Sequence, residues 1–85
     1  MNRIIIDVRE PEEYALSHLD IAINIPSSEI LENLEKLQGV PKNTEIILYC
    51  QKGKRANIAL QILRAKGYTN LINGINQYQV KKQYL

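Results

Sequence analysis

At 85 residues, 45% hydrophobic and 24% charged, the chain holds one domain with one small core and is too apolar for wholesale disorder. A single Cys and a single His exclude a disulfide framework and a Cys- or His-cluster metal site. No apolar run approaches the ~20 residues of a membrane span, and no signal-peptide pattern opens the chain, so the sequence as written reads as cytoplasmic, or as periplasmic if Met1 replaces a removed signal. The net charge of +2 is unevenly spread: residues 1–45 carry all nine acids against four bases, residues 46–85 seven bases and no acid. Such a split has two readings, anionic partners for the second half or attraction between the halves across the fold. Nucleic acid is not among the expected partners, because no aromatic-interleaved basic stretch is present.

Ile4-Ile5-Ile6-Asp7-Val8 is a β-branched run of the kind buried on both faces inside a parallel sheet. Glu10-Pro11-Glu12-Glu13-Tyr14 places Pro and acids in a first helical turn, predicting a short helix to about Ser17. Ala22-Ile23-Asn24-Ile25 reads as a shorter strand closed by Pro26. Ser27 or Ser28 then caps a predicted helix with Ile30, Leu31, Leu34 and Leu37 on its core face, ended by Gly39 and Pro41. Ile46-Ile47-Leu48-Tyr49 is a third strand and delivers Cys50 at its C-terminal end. Residues 51–55 lead into a helix with Ala56, Ala59, Leu60 and Leu63 on one face, and Gly67 at its C′ position. Leu71-Ile72-Asn73 reads as a fourth strand and Gly74 as a turn. Residues 75–84 form a weak terminal helix packed through Ile75, Tyr78 and Val80. Tyr14 and Tyr49 are expected in the core, Tyr78 and Tyr84 over one side of the fold, and Lys81 and Lys82 in a solvated tail.

Strands alternating with helices across short loops imply a small parallel sheet of about four strands with helices on both faces. Ligands of such sheets bind outside the carboxyl ends of the strands, where Asp7 and Cys50 both lie. Asp7 and Arg9 read as an ion pair or hydrogen-bonded brace between loops, and His18 as a loop-bracing hydrogen-bonder rather than a proton shuttle.

Cys50-Gln51-Lys52-Gly53-Lys54-Arg55 carries the chemistry. A strand, a Gly-containing loop and a helix N-terminus aim several backbone N–H groups at one point. A thiolate there is stabilised by those donors, by the helix dipole and by three nearby cations. Free Cys, with a pKa of about 8.5, is roughly 3% thiolate at pH 7, and lowering it to about 6.5 gives roughly 75%. Cations at a helix N-terminus oppose the macrodipole, so Lys52, Lys54 and Arg55 break a local rule together, as functional clusters do. An anionic thiolate or an anionic ligand reverses that penalty. The alternative is a buried, inert Cys with three cationic tips in solvent. The catalytic reading requires a thiol that is ionised and open to solvent.

IIIDVREPEEY, SHLDIAINIP, ILYCQKGKRA and GYTNLINGI, in this order, resemble the rhodanese (sulfurtransferase) domain, whose signature runs roughly DVR-x-x-x-E(Y/F), GHIPGA-x-N(I/L)P, YC-x-x-G-x-RS and GG. The likeness covers residues 4 to about 78, and residues 1–85 are expected to be a single such domain. The length, and a first strand beginning at IIIDVR, resemble the small single-domain sulfurtransferases of the phage-shock protein E type, which lack the extra N-terminal strand and helix of larger relatives. The resemblance implies that Cys50 takes the outer sulfur of thiosulfate or a similar donor, carries it as a persulfide and gives it to cyanide or a thiol. A thioredoxin-like protein is one such acceptor. It implies no cofactor beyond the covalent persulfide, and a monomer free of membrane and nucleic acid. Gln51, Lys52, Gly53, Lys54 and Arg55 would hold the donor and the persulfide, with Arg55 the direct contact; Asp7, Arg9 and Ala56 would support the loop. Cys-based phosphatases place Arg six residues after Cys, whereas Arg55 comes five after Cys50, a smaller loop suited to a sulfur atom. A rhodanese-like carrier or binding module with little turnover is the second reading. Departures from the signature are Ala56 for Ser, Ile21 in the GHIPGA segment, Asn73 for the first Gly of the pair, and Tyr78 for the usual Trp.

Overall fold

The computed structural model describes residues 3–85. Four strands, β1 (Arg3–Asp7), β2 (Ile23–Asn24), β3 (Glu45–Tyr49) and β4 (Leu71–Ile75), form one parallel sheet in the order β2-β1-β3-β4. Three α-helices, α1 (Pro11–Leu16), α2 (Lys54–Ala65) and α3 (Gln77–Tyr84), connect or follow them. Successive strand residues point to opposite faces, so the runs of apolar residues build two cores at once. Ile6, Val8, Ile46 and Leu48 pack on one face beneath Ala56, Ala59, Leu60 and Leu63 of α2. Ile5, Ile47 and Tyr49 pack on the other with Leu19, Ala22 and Val80. Both faces of the sheet are therefore covered, as the apolar runs require.

Residues 27–37 depart from the predicted helix. They form two short 3₁₀ turns, Ser27–Glu29 and Leu34–Leu37. Ile30 and Leu37 are buried as expected, but Leu31 is 53% exposed. The cause is local: Asn33 donates both its side-chain amide (2.9 Å) and its backbone N–H (3.1 Å) to the Glu29 carbonyl. The backbone bond is still the helical one, but Asn33 itself leaves the helical region at φ −116°, ψ 28°, and the helix stops there.

The chain's end also differs from expectation. Gly74 is not a turn but lies inside β4, which pairs Leu48 with Asn73 and Tyr49 with Ile75, leaving Gly74 as the extra residue of a bulge. The terminal helix starts two residues later than predicted, at Gln77, and Val80 alone of its three proposed anchors is buried. Ile75 (43% exposed) and Tyr78 (67%) face outward. The Asn76 side chain stops the strand and starts α3 by accepting the Gln79 N–H at 2.8 Å.

Gly74 is where α3 meets the sheet. A Cβ there would stand 2.4 Å from Val80 Cγ2 and 2.9 Å from Ile47 Cγ2, so α3 docks only because that position has no side chain. Gly74→Ala should therefore lower stability by about 1–3 kcal/mol, as overpacking does, read as a fall in the urea midpoint without a change in slope.

Candidate active site

Because the strands are parallel, their carboxyl ends lie along one edge of the sheet. Cys50 follows the last residue of β3, and its N–H donates to the Ile75 carbonyl at 3.1 Å and fixes the start of the loop against β4. Gly53 closes the loop at φ +93°, the left-handed region that a side chain disfavours, and caps α2. This turn brings the Gly53 N–H to 3.0 Å and the Ala56 N–H to 3.4 Å from Cys50 Sγ. The twelve-residue α2 thus begins at the sulfur, with its positive dipole end toward it.

Two opposed effects act on the thiol. Burial pushes its pKa up, while the backbone N–H groups of Ala56, Lys52, Gly53 and Arg55 favour the anion; the amides win, and the thiol lies below its ordinary value. The expectation of a thiol open to solvent is not met: Cys50 is only 2% exposed. The sulfur lies at the floor of its cradle, beneath the side chains of the loop's rim. That rim consists of the exposed Gln51, Lys52 and Lys54 and the half-buried Arg55.

Arg55 is engaged. Its Nη1 and Nη2 meet Glu13 Oε1 and Oε2 at 2.6 and 3.1 Å, a two-pronged pair that joins α2 to α1. The Glu10 N–H also donates to Glu13 Oε1 at 2.9 Å. Arg55 first and that N–H second bring the Glu13 carboxyl down to about 2. Arg55 thus lies close enough to Cys50 to feel its charge, with part of its donor fork already used.

Asp7 and Arg9 form a buried pair, with Arg9 Nη2 at 2.7 Å from Asp7 Oδ2. Arg9 reaches on to the Ser17 carbonyl at 2.6 Å, and Asn24 Nδ2 donates to the Asp7 and Arg9 carbonyls, both at 2.9 Å. The pair holds the turns on either side of α1 and touches no sulfur atom. His18 braces the same region through Nδ1, 2.6 Å from the Tyr14 carbonyl, with its ring stacked on Tyr14.

Three residues take part that the sequence reading did not place in the site, Asn73 figuring there only as a departure from the Gly pair of the signature. Glu13 is the partner of Arg55, Asn24 ties the Asp7–Arg9 turn, and Asn73 donates to the Gly53 carbonyl at 2.9 Å. Both asparagines carried a signal, an amide beside apolar strand residues, and Asn73 a second, its place at the first Gly of the signature's pair. Among the described residues, no group of three or more His, Cys, Asp or Glu could hold a metal ion, and no helix is long and apolar enough to cross a membrane.

A strand-to-helix loop that wraps a single cysteine with backbone amides, at the carboxyl edge of a parallel sheet, defines a class. The chain belongs to the rhodanese-like domain family, which it matches over residues 1–81. It is 42% identical over 69 residues to the thiosulfate sulfurtransferase PspE of Escherichia coli, covering 80% of this chain and 64% of that protein. It is 38% identical over 79 residues to the thiosulfate:glutathione sulfurtransferase of Saccharomyces cerevisiae, covering 81% of this chain and 57% of that protein. The chain thus spans less than two thirds of either relative. A solved rhodanese with anions from E. coli superposes with a TM-score of 0.81 at 35% identity, covering 91% of this chain and 89% of that one.

The Glu13–Arg55 pair makes a pH prediction. Glu13 ionises at about 2 in the folded chain against 4.5 ordinarily, so its contribution to stability is fully present above 4.5 and fades as pH falls toward 2. Urea unfolding should show Glu13→Gln less stable than the parent chain at pH 7, with the difference closing as pH approaches 2.

Proposed function

We propose that this chain is a sulfurtransferase that moves the outer sulfur of thiosulfate, or a similar sulfane donor, through a persulfide on Cys50. The observation that carries the reading is the pair of backbone N–H groups, from Gly53 and Ala56, directed at Sγ 3.0 and 3.4 Å away. Amides so placed keep the sulfur nucleophilic without a general base, and the only His is held at Tyr14.

In the first half-reaction the Cys50 thiolate attacks the outer sulfur of thiosulfate. An Sγ–S bond forms, the donor's S–S bond breaks with its electron pair going to the departing sulfite, and the protein is left as an anionic persulfide. In the second, a nucleophilic acceptor takes the terminal sulfur and returns the thiolate: cyanide leaves as thiocyanate, a thiolate as its persulfide. Charge balances in both steps, no proton need move, and no cofactor is called for. The loop amides of residues 51–55 serve twice, for the thiolate and then for the persulfide anion, which is electrostatic stabilisation by dipoles that need not reorganise. Lys52 and Lys54 draw the dianionic donor to the rim. Arg55 is the donor contact nearest the sulfur, and it meets the donor with whatever part of its fork Glu13 leaves free.

The near-complete cover over Cys50 favours a second reading, a carrier that accepts sulfur from a partner protein and turns over poorly with free donors. Mass spectrometry separates the two. A catalyst incubated with thiosulfate should gain the mass of one sulfur on Cys50, lose it to cyanide, and show ping-pong kinetics. Cys50→Ser should abolish the gain while leaving the unfolding midpoint nearly unchanged. Arg55→Ala should raise the KM for thiosulfate severalfold, whereas Lys81→Ala should change it little. A Cys50 that neither gains sulfur nor reacts with iodoacetamide in the native protein overturns the catalytic reading.

A further inference from the structure

We propose that Asn73 is a positioning residue for sulfur transfer, clamping the cysteine loop to the end of β4 so that its peptide groups stay turned toward Cys50. The proposal rests on the sulfurtransferase reading and adds to it a residue outside the loop. Three hydrogen bonds make the clamp. Asn73 Nδ2 donates to the Gly53 carbonyl at 2.9 Å, Asn73 Oδ1 accepts the Ile75 N–H at 3.0 Å, and the Ile75 carbonyl accepts the Cys50 N–H at 3.1 Å. Cys50 and Gly53 are therefore both tied to β4, through Ile75 and Asn73.

The geometry at Gly53 shows why the tie reaches the sulfur. A peptide group is planar and trans, so its C=O and the next N–H point in opposite directions. Holding the Gly53 carbonyl toward Asn73, and toward the Asn57 N–H at 3.0 Å, fixes that plane at the start of α2. The Gly53 N–H on the other side of the same residue donates to Sγ at 3.0 Å. That N–H belongs to the preceding peptide, joined to the held one only through the φ and ψ of Gly53. This residue, at φ +93°, has no side chain to limit its rotation, so a second hold on the carbonyl narrows where the N–H can point.

Ile75 supplies the second observation. It is the one non-glycine residue among those described with positive φ, at +76°, and a β-branched residue is a true outlier there. The Asn73 side chain accepting from the residue two positions on is the local turn that holds such a conformation. Its Cγ1 lies 3.7 Å from where a Gly53 Cβ would stand, so the strained residue packs directly against the loop. Backbone strain held in place by a side chain, beside the reacting atom, marks a site where position matters.

The test reads the thiolate itself, independently of sulfur transfer. Asn73→Ala removes both side-chain bonds. Its alkylation by iodoacetamide at pH 7 should be roughly three- to tenfold slower than in the parent chain, with the pH midpoint of alkylation moved up. Thiosulfate turnover should show lower kcat with KM little changed, because the cations are intact. Asn73→Ser keeps an acceptor for Ile75 but is too short to reach Gly53. It should alkylate like Asn73→Ala while keeping more of the parent's thermal stability. Asn76→Ala is the control: it removes the cap of α3 three residues away and should lower Tm without moving the alkylation profile. A parent-like profile in Asn73→Ala, or the same shift in Asn76→Ala, overturns the proposal. If the parent chain takes no sulfur from thiosulfate yet Asn73→Ala still shifts the profile, the transfer reading falls and the clamp stands.

Discussion

A sulfur atom withdrawn almost wholly from water can remain an anion only where fixed dipoles replace the solvent it has lost. Around Cys50 two effects oppose each other directly: burial favours the neutral thiol, and the amides of the 51–55 loop and of the first turn of α2 favour the thiolate. The amides prevail because they converge, and they converge because β3 stops just before Cys50 and α2 starts four residues after it. Shorten the loop and the helix N-terminus passes the sulfur; lengthen it and the N–H groups fall away from Sγ. Every other feature of the site keeps that short turn in place.

Two ion pairs do this from the α1 side. The Asp7–Arg9 pair is buried, and a buried pair contributes less to stability than its short distance suggests, because both charges have lost their water. What it does provide is direction. Arg9 reaches the Ser17 carbonyl, and Asn24 reaches the carbonyls on either side of Val8, so the turns flanking α1 are held at set positions. α1 in turn presents Glu13 to Arg55. The loop is thus held from one side by α1 through a charge pair and from the other by β4 through Asn73. Both contacts reach residues within five positions of Cys50.

The sequence shows most of this plan and hides a definable part. The four strands, the parallel sheet covered on both faces and the placement of Cys50 follow from β-branched runs separated by helical segments, and all are present. The helix over residues 27–37 fails because apolar spacing measures burial, not backbone path: Ile30 and Leu37 are buried without a continuous helix between them. Gly74 misleads for a related reason. A glycine between apolar residues signals a turn as readily as a bulge, and only the approach of Val80 to 2.4 Å of its absent Cβ separates the two. Glu13, Asn24 and Asn73 escape because their roles depend on partners tens of residues away or on one backbone carbonyl, and no local periodicity marks such contacts. Glu13 in particular reads as a favourable first-turn acid, which it also is.

The charge asymmetry resolves in the same terms. Among the described residues only the Arg55–Glu13 pair joins the acidic first half to the basic second, so mutual attraction accounts for one of the seven bases beyond residue 45. Lys52 and Lys54 keep no carboxylate partner and stand at the positive end of α2, where cations are disfavoured. What would compensate them is an anion at the loop, which Cys50 supplies when ionised. In the proposed cycle that anion never disappears: the thiolate becomes an anionic persulfide, the donor arrives as a dianion and sulfite departs as one. The field at the loop therefore matches each species in turn, and the arrangement that is costly around a neutral thiol becomes favourable once the sulfur is charged.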